Sequence, residues 1–434
     1  MVSIHVIRPV FSAAIAALLL AGCASTGPPP EEETKHYTER LQTQTNGGLQ
    51  VSTSVLSDIE SETVYGVPLA TKGIQPVWIE VKNHDDITYW LLSPGLDPNF
   101  FPASEAADAF ASDSIQTNRV LTQHFEQLAF LNPIPPGGTV SGFVLTNHDE
   151  GVKMVELDLV ASGHLKTFST ISIVPGFRAD YHERNVFTQE VYTPGEIINY
   201  TDDAAFRAAL EALPCCVTNK KGTRNGDPLN LIVIGGLNDA FPALVRRGWH
   251  PTEATNAGSI KKMMNSVLSG ERYRYSPVSP LFLYGRPQEL ALQKARSSIH
   301  QRNHLRLWKS PMQYHGKPVW VGQISRDIGT RLTFHSPYLT THKIDPDVDE
   351  ALIALIEDLA YSQNLSKIGL VKGVGAASID EPRENLTTDP YYTNGLRGVL
   401  IFDAEPTALS DIELLPWEGQ EGGMVSESIR RQRQ

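Results

Sequence analysis

The sequence predicts a multidomain protein in which an N-terminal β-sandwich-like domain precedes an α+β domain with a mixed sheet. Between residues 51 and 175, short apolar runs are separated by turn residues, which is typical of a sandwich. After residue 202, amphipathic helical segments are interspersed with short buried runs, which is typical of an α+β or α/β domain. The chain of 434 residues is long enough for two or three domains.

The chain begins with the layout of a secretory signal peptide. Arg8 precedes an apolar run at residues 11–20, and small residues follow that run. The ending Leu20-Ala21-Gly22-Cys23 resembles the lipobox of bacterial lipoproteins. This resemblance implies cleavage after residue 22, a diacylglyceryl group on Cys23 and usually acylation of the new amine. An ordinary cleaved signal peptide that ends near a cysteine is the alternative.

The expected location is the cell envelope, with the membrane as partner through the lipid. Two or more acyl chains give a stable anchor. The apolar run at the start is too short to be relied on as a spanning helix, which needs about 20 residues. Ala24 follows Cys23. A residue other than Asp at that position implies the outer membrane in many Gram-negative bacteria, so we expect the protein there, facing the periplasm.

Residues 23–50 are predicted to be a flexible tether, because the segment starts Pro-rich and charged without apolar periodicity. Residues 51–178 then form the sandwich-like domain. A helical insert between residues 104 and 128 interrupts its strands, with apolar residues at helical spacing. The predicted strands are 75–82, 87–92, 139–146, 152–160 and 168–173.

Residues 179–200 are predicted to be a linker, and residues 201–405 form the second domain. A disordered tail is expected at 406–434, which is acidic and then ends in arginines and glutamines. The second domain's predicted helices are 203–213, 237–247, 258–268 and 347–359, and its roughly five strands include 229–236, 281–284, 305–308, 318–324 and 398–402.

Composition excludes one class of partner and limits the cysteine chemistry. The net charge of −12 argues against a nucleic-acid-binding protein. Lipidation of Cys23 would leave only the adjacent Cys215 and Cys216. Their Cα atoms lie about 3.8 Å apart, below the usual disulfide range of roughly 4.4–6.8 Å. We therefore expect two small buried or merely tolerated thiols, although an oxidising compartment favours a bridge. A redox or soft-metal site is the alternative, but no third cysteine and no neighbouring histidine completes a metal set.

Several separated blocks of the second domain resemble one family. The run Tyr-Ser-Pro-Val-Ser-Pro-Leu-Phe-Leu-Tyr-Gly-Arg-Pro at 275–287 looks like the signature of the LssY C-terminal domain family. The blocks at 229–249, 301–308, 318–322, 325–329 and 341–349 continue the resemblance in order, over about residues 200–405. Some relatives carry membrane segments of the PAP2-phosphatase type, which this chain replaces with a lipid anchor and a β-domain. The resemblance implies no activity for the domain itself.

A group of cationic and histidine residues suggests an anion site. His300, Arg302, His304 and Arg306 alternate, so they share one face if the stretch is a strand. Such a face suits a phosphate, carboxylate or sulfate group. The alternative is a solvated strand edge with ion pairs to nearby acids. The candidate ligand-binding residues are Arg286, Arg302, His304, Arg306 and Arg326.

A second group combines His342 with Asp345, Asp347 and Asp349. Alternating aspartates suggest a hard cation such as Ca²⁺ or Mg²⁺, but the EF-hand glycine and glutamate are absent at their required positions. The alternative is helix capping by Asp345 or Asp347, with Asp349 suited to the helix dipole.

If His342 and Asp345 join His304 and Asp327, these four residues become candidate catalytic groups for metal-assisted phosphoester hydrolysis. His342 and Asp345 would then hold the divalent metal. Without a metal, members of the same group of four would serve as acid and base.

We therefore expect a membrane-anchored envelope lipoprotein whose LssY-like domain binds an anionic ligand or lipid headgroup. Its first domain is expected to contact envelope proteins. A metal-assisted phosphoester hydrolase and a structural envelope or secretion assembly factor remain alternatives. The sequence has no Gly-x-Ser-x-Gly elbow, no His-Glu-x-x-His motif and no P-loop.

Overall fold

The computed structural model of the chain describes residues 36–149, 152–175, 191–236, 238–251, 280–295, 302–332 and 340–418. This part is mostly β-sheet with few helices, arranged in several sheets. No helix within it is long and apolar enough to cross a membrane. Cys23 with its signal peptide, and the predicted helix at 258–268, lie outside the described residues.

The first part of the described chain combines antiparallel strands with short helices. In chain order its elements are β1 (Gln42–Asn46), β2 (Leu49–Val55), α1 (Asp58–Tyr65), β3 (Ile74–Asn83), β4 (Trp90–Leu92), α2 (Ser93–Leu96), α3 (Ala103–Asp108), α4 (Ile115–Leu128), β5 (Thr139–Asn147), β6 (Val152–Ala161) and β7 (His164–Ile173). One sheet has the order β1-β2-β3-β5, and the other has the order β4-β6-β7.

The two sheets share a buried core, to which Val51, Val77 and Leu157 contribute. A second core, which includes Phe125 and Phe143, packs the helices against the four-stranded sheet. The alternation of apolar and polar residues therefore predicted the main strands correctly, because one side of each strand is buried.

The predicted tether at 23–50 is wrong for its last residues, since β1 and the first two residues of β2 lie within it. Gln42 Nε2 donates to the Ile171 carbonyl over 2.8 Å, and Gln44 Nε2 donates to the Ser169 carbonyl over 2.7 Å. These side chains tie a polar strand to β7 of the other sheet. Apolar periodicity misses β1 because polar contacts, rather than burial, hold it.

The second part of the described chain contains more strands than predicted. Its elements are β8 (Ile198–Tyr200), α5 (Asp203–Glu211), β9 (Cys216–Thr218), β10 (Asn225–Pro228), β11 (Leu231–Ile234), α6 (Ala240–Arg246), β12 (His250–Pro251), β13 (Phe282–Leu283), β14 (Arg286–Pro287), β15 (Leu290–Ala295), β16 (Arg302–Tyr314), β17 (Lys317–Leu332), β18 (Thr340–Ile344), α7 (Val348–Ala360), β19 (Leu365–Lys372), β20 (Arg383–Glu384), β21 (Pro390–Tyr391), β22 (Leu396–Phe402) and β23 (Glu413–Leu414).

A mixed ten-stranded sheet is the centre of this part, in place of the roughly five strands that the sequence predicted. Its order is β12-β15-β16-β17-β11-β22-β19-β23, with β18 beside β17 and β8 beside β16. The pairs β11/β22, β16/β8 and β19/β23 are parallel. One face of the sheet packs against α6 and α7, and the opposite face packs against α5 and the small sheet β10-β9-β13-β14.

Two predicted boundaries of this part need correction. The predicted linker at 179–200 ends in β8, which pairs with β16. The predicted disordered tail at 406–434 begins with ordered chain, since β23 pairs with β19 and Leu415 is buried. Both segments gain order from strand pairing with the large sheet, which a local sequence pattern does not reveal.

Candidate functional site

The two long strands β16 and β17 carry polar side chains on one face of the large sheet. Their register places Arg306 opposite Gln323 and His304 opposite Ser325. Because side chains alternate across a strand, His304, Arg306 and Trp308 share this face. Leu305 and the neighbouring apolar side chains point to the face that α7 covers. The polar face is nevertheless deeply buried.

His304 and Asp327 form a buried pair on this face. His304 Nε2 lies 2.7 Å from Asp327 Oδ2, and the two residues are only 5% and 3% exposed. The structure therefore brings together two of the four residues that were predicted to form a catalytic group. A carboxylate at hydrogen-bond distance fixes the orientation of an imidazole ring.

Arg306 lies beside this pair on the same strand. Its Nη1 donates to Gln323 Oε1 over 2.9 Å. Trp308 lies diagonally across from Gln323, and both of these residues are fully buried. Gln323 Nε2 and Trp308 Nε1 have no hydrogen-bond partner within the part of the chain that the structure describes.

Asp227 of β10 adds a carboxyl to the same region. Burial raises its pKa, while the positive charge of Arg306 and a hydrogen bond from Asn385 act to lower it. Asn385 Nδ2 donates to Asp227 Oδ1 over 3.4 Å, which brings the β20–β21 connection over this carboxyl. We call His304, Arg306, Gln323, Asp327 and Asp227 the polar cluster.

Arg326 and Asp345, both predicted site residues, lie apart from the polar cluster. Arg326 is adjacent to Asp327 in the strand and therefore points to the other face. Its Nε donates to Asp345 Oδ2 over 3.1 Å, and its Nη2 donates to Glu350 Oε2 over 2.8 Å. The prediction that Arg326 and Arg306 share one anion site is wrong. Asp327 lies on the face of the sheet that carries Arg306, and the adjacent Arg326 lies on the opposite face.

Arg286 also lies in a different setting. It forms an ion pair with Glu289, and its Nη2 donates to Tyr192 Oη over 2.8 Å. Its guanidinium also lies 5.0 Å from the centre of the Tyr192 ring. These contacts hold Arg286 at the β14 turn, and none of its described contacts is with the polar cluster.

The predicted metal site does not form from the described side chains. Asp345 is ion-paired with Arg326, and its Oδ1 accepts from the Asp347 backbone N–H over 3.0 Å. Within the described residues, no three His, Cys, Asp or Glu side chains are placed to hold a metal ion. The side chains of Arg302 and His342, and all of His300, lie outside the described set.

The capping alternative for the second group is confirmed. Asp347 is the N-cap of α7, and its Oδ1 accepts from the Glu350 backbone N–H over 3.2 Å. Asp349 in the first helical turn accepts hydrogen bonds from Thr393 and Asn394. These carboxylates stabilise the start of a helix and the loop beside it.

Cys215 and Cys216 form a vicinal disulfide, which corrects the expectation of two separate thiols. Cys216 is 4% exposed, and its Sγ lies 3.9 Å from Tyr391 Oη. Cys215 is partly exposed, and Asn225 Nδ2 lies 4.0 Å from its Sγ. The bridge therefore joins a partly exposed residue to a buried one.

Sequence reasoning missed Gln323 and Asp227 as members of the site. The segment from Val321 to Asp327 has a local signal, because polar residues occupy the alternate positions 323, 325 and 327. Asp227 has no such signal, since it reaches the cluster through the pairing of β9 with β10 and the fold of the chain over the sheet.

The fold and the site define a sheet-rich domain with a buried polar cluster. Residues 208–396 match the family model described as LssY C-terminus, so this segment of the chain belongs to that family. All five residues of the polar cluster lie within the matched segment. No curated protein matches the chain.

Proposed function

We propose that the LssY domain binds a small anionic group at the polar cluster. The observation that carries this proposal is a pair of buried donors, Gln323 Nε2 and Trp308 Nε1, that flank Arg306 and have no hydrogen-bond partner among the described residues. A buried N–H without an acceptor costs about 1–3 kcal/mol. A ligand oxygen that accepts from these groups would recover that free energy.

The guanidinium of Arg306 favours an anionic ligand over a neutral one, and the carboxyl of Asp327 is engaged by His304. Arg306 supplies a permanent positive charge. Burial raises the pKa of Asp227, which biases this neighbouring carboxyl toward its neutral form. Phosphate, sulfate and carboxylate groups are acceptors that match a guanidinium flanked by N–H donors.

The N-terminal sequence supports a membrane setting for this site. We propose that Cys23 carries the lipid and that the protein lies at the outer membrane, facing the periplasm. A β-sandwich-like domain would then separate the anchor from an α+β LssY domain. The same anionic chemistry has two sources in that setting, which are a phospholipid headgroup and a free phosphate or carboxylate.

Titration calorimetry with inorganic phosphate, and co-sedimentation with vesicles containing phosphatidylglycerol, test the proposal on the full chain with Cys23→Ser. We expect Arg306→Gln to weaken binding at least about tenfold, because it removes the charged donor. Arg326→Gln is the matched control, since Arg326 lies on the opposite face of the same sheet.

Binding of phosphate alone would identify a free anion, and binding only to vesicles would identify a headgroup. The proposal is overturned if the protein binds neither phosphate nor the vesicles. It is also overturned if Arg306→Gln and Arg326→Gln lose binding affinity equally.

A second candidate function is phosphoester hydrolysis, which the buried His304–Asp327 pair favours. A carboxylate that bonds one imidazole nitrogen orients the ring for proton transfer at the other. Turnover of a generic phosphoester, measured with and without divalent metal, should fall by about 10²–10⁴ in Asp327→Asn if His304 is the base. A wild-type protein without turnover would exclude this candidate.

A further inference from the structure

We propose that the Cys215–Cys216 bond is a thiol–disulfide exchange site whose redox state controls the β20–β21 segment covering Asp227. The two cysteines lie at the start of β9, with Cys216 as its first residue. Cys215 is partly exposed and Cys216 is buried. A thiol reductant in solution therefore reaches the Cys215 sulfur, and the Cys216 sulfur is the group that leaves.

This bridge has little value as a fold-stabilising crosslink. A disulfide stabilises a protein mainly by restricting the unfolded chain, and this effect grows with the length of the closed loop. Cys215 and Cys216 are adjacent, so the bridge encloses no further residues. Reduction is therefore expected to leave the fold intact, which a reversible switch requires.

The buried sulfur contacts the chain that covers the polar cluster. Cys216 Sγ lies 3.9 Å from Tyr391 Oη, and Tyr391 Oη donates to the Gly226 carbonyl over 3.3 Å. A Cβ placed at Gly226 would lie 2.7 Å from Leu386 Cγ, so the β20–β21 segment packs tightly on β10. The next residue, Asp227, accepts from Asn385 of the same segment.

The pairing of strands transmits a change in the bridge to this covering segment. Cys216 pairs with Pro228, which directly follows Asp227. Opening the bridge frees the β9 backbone from the constraint of a ring between adjacent residues. The carbonyl of Gly226 and the hydroxyl of Tyr391 then lose the fixed geometry that holds β20 and β21 over Asp227.

The exchange chemistry needs a dithiol as reductant. One thiolate of the dithiol attacks Cys215 Sγ, the sulfur–sulfur bond breaks, and the electron pair leaves on Cys216 Sγ, which takes a proton. The second thiol of the reductant then attacks the reductant's other sulfur, which is bonded to Cys215 in the mixed disulfide. Cys215 Sγ leaves and takes the other proton. The protein gains two electrons and two protons in total, and the dithiol becomes a disulfide.

The consequence for anion binding rests on the proposed function, whereas the exchange and the movement of the covering segment do not. Hydrogen exchange of the peptide containing residues 383–391 therefore serves as the readout, because it needs no ligand. The full chain with Cys23→Ser is compared before and after treatment with dithiothreitol, and free thiols are counted in parallel.

We expect treatment to release both thiols and to accelerate exchange in residues 383–391 about tenfold, with the circular dichroism spectrum unchanged. The double variant Cys215→Ala/Cys216→Ala should exchange as fast as the reduced protein and should not respond to dithiothreitol. The proposal is overturned if no thiols are released, or if exchange in residues 383–391 is the same in both redox states.

If phosphate binds in neither redox state while hydrogen exchange of residues 383–391 changes as expected, only the proposed function is overturned. Unequal exchange in the two redox states with equal phosphate affinity would remove the coupling to the anion site and leave the switch.

Discussion

Arg306 of β16 lies directly opposite Gln323 of β17, and its Nη1 donates to Gln323 Oε1 over 2.9 Å. This contact fixes the orientation of a buried carboxamide. The acceptor end of Gln323 is used by the guanidinium, so the donor end is left to face another acceptor. The same contact keeps a cation and a neutral donor side by side, which is the arrangement that an anionic group requires.

Gln323→Glu tests this role of the amide. Glutamate keeps an oxygen for Arg306, removes the donor nitrogen and adds a negative charge. We expect phosphate affinity to fall more than about tenfold, because the added charge competes with the anion for Arg306. Calorimetry measures the affinity, and urea unfolding should report no loss of stability in the absence of phosphate.

Gln313→Glu, toward the end of β16 where Gln313 pairs with Pro318, is the control for the added charge. Unchanged phosphate affinity in Gln323→Glu would contradict the assignment of the amide to the anion site.

We expect the unfolding free energy of the protein to depend on pH through Glu156, which lies at the contact between the two parts of the chain. Burial raises the pKa of Glu156 to about 8, although its ion pair with Arg246 over 2.6 Å acts to lower it and Asp158 raises it further. The folded state therefore holds a proton that the unfolded state releases between about pH 4.5 and pH 8. Unfolding free energy should fall as pH rises through this window.

Urea unfolding of the wild type and Glu156→Gln at several pH values measures this effect. The glutamine variant stays neutral, so its unfolding free energy should decline less between pH 5 and pH 8. Parallel pH profiles in the two proteins would show that Glu156 does not titrate in this window.

We expect Arg397 to make a large contribution to the unfolding free energy without a direct role in anion binding. It is fully buried, and burial lowers its pKa to about 10. Its guanidinium donates to the backbone carbonyls of Leu210, Leu213, Pro214, Leu229 and Gly373. Arg397→Met should lower the unfolding free energy by about 3–5 kcal/mol, because these buried carbonyls lose their donor.

Urea unfolding measures the loss in Arg397→Met, and Arg383→Met is a control on the neighbouring loop, where the arginine is only partly buried. Equal, small losses in both variants would contradict the view that Arg397 holds the end of α5 and the approach to Cys215.

Cys23→Ser tests the proposed anchor. The serine cannot form the thioether that carries the diacylglyceryl group, so the lipid chains and their membrane affinity are lost. Metabolic labelling with a palmitate analogue, followed by fractionation of the cell envelope, should find label and membrane association only in the wild type. A wild type that incorporates no label and fractionates in the same way as Cys23→Ser would favour the ordinary signal peptide.

Much of the fold follows from local sequence patterns. Strands such as β3 and β6 were predicted because one buried side imposes an alternation of apolar residues. The helix α7 and its cap at Asp347 follow from an apolar stripe and a short polar side chain at its start. These signals are contained within one element and need no knowledge of its neighbours.

The site was only partly predictable because its membership depends on register. Alternation placed His304 and Arg306 on one face correctly, and the same rule separates Arg326 from them once β17 is known to be a strand. Asp227 and Asn385 meet across a separation of 158 residues, which no local pattern encodes. The length of β17, which carries Asp327 beyond the apolar core, was not expected either.

The indole N–H of Trp308 offers the most direct test of the anion site. The chain has 6 tryptophans, and Trp308→Phe assigns the relevant resonance in a ¹⁵N-correlated NMR spectrum. Titration with inorganic phosphate should move the Trp308 resonance in a saturable manner in the wild type and in Arg326→Gln, and in Arg306→Gln the midpoint should lie at a phosphate concentration at least about tenfold higher. A Trp308 resonance that stays fixed in the wild type at saturating phosphate would contradict the proposed site.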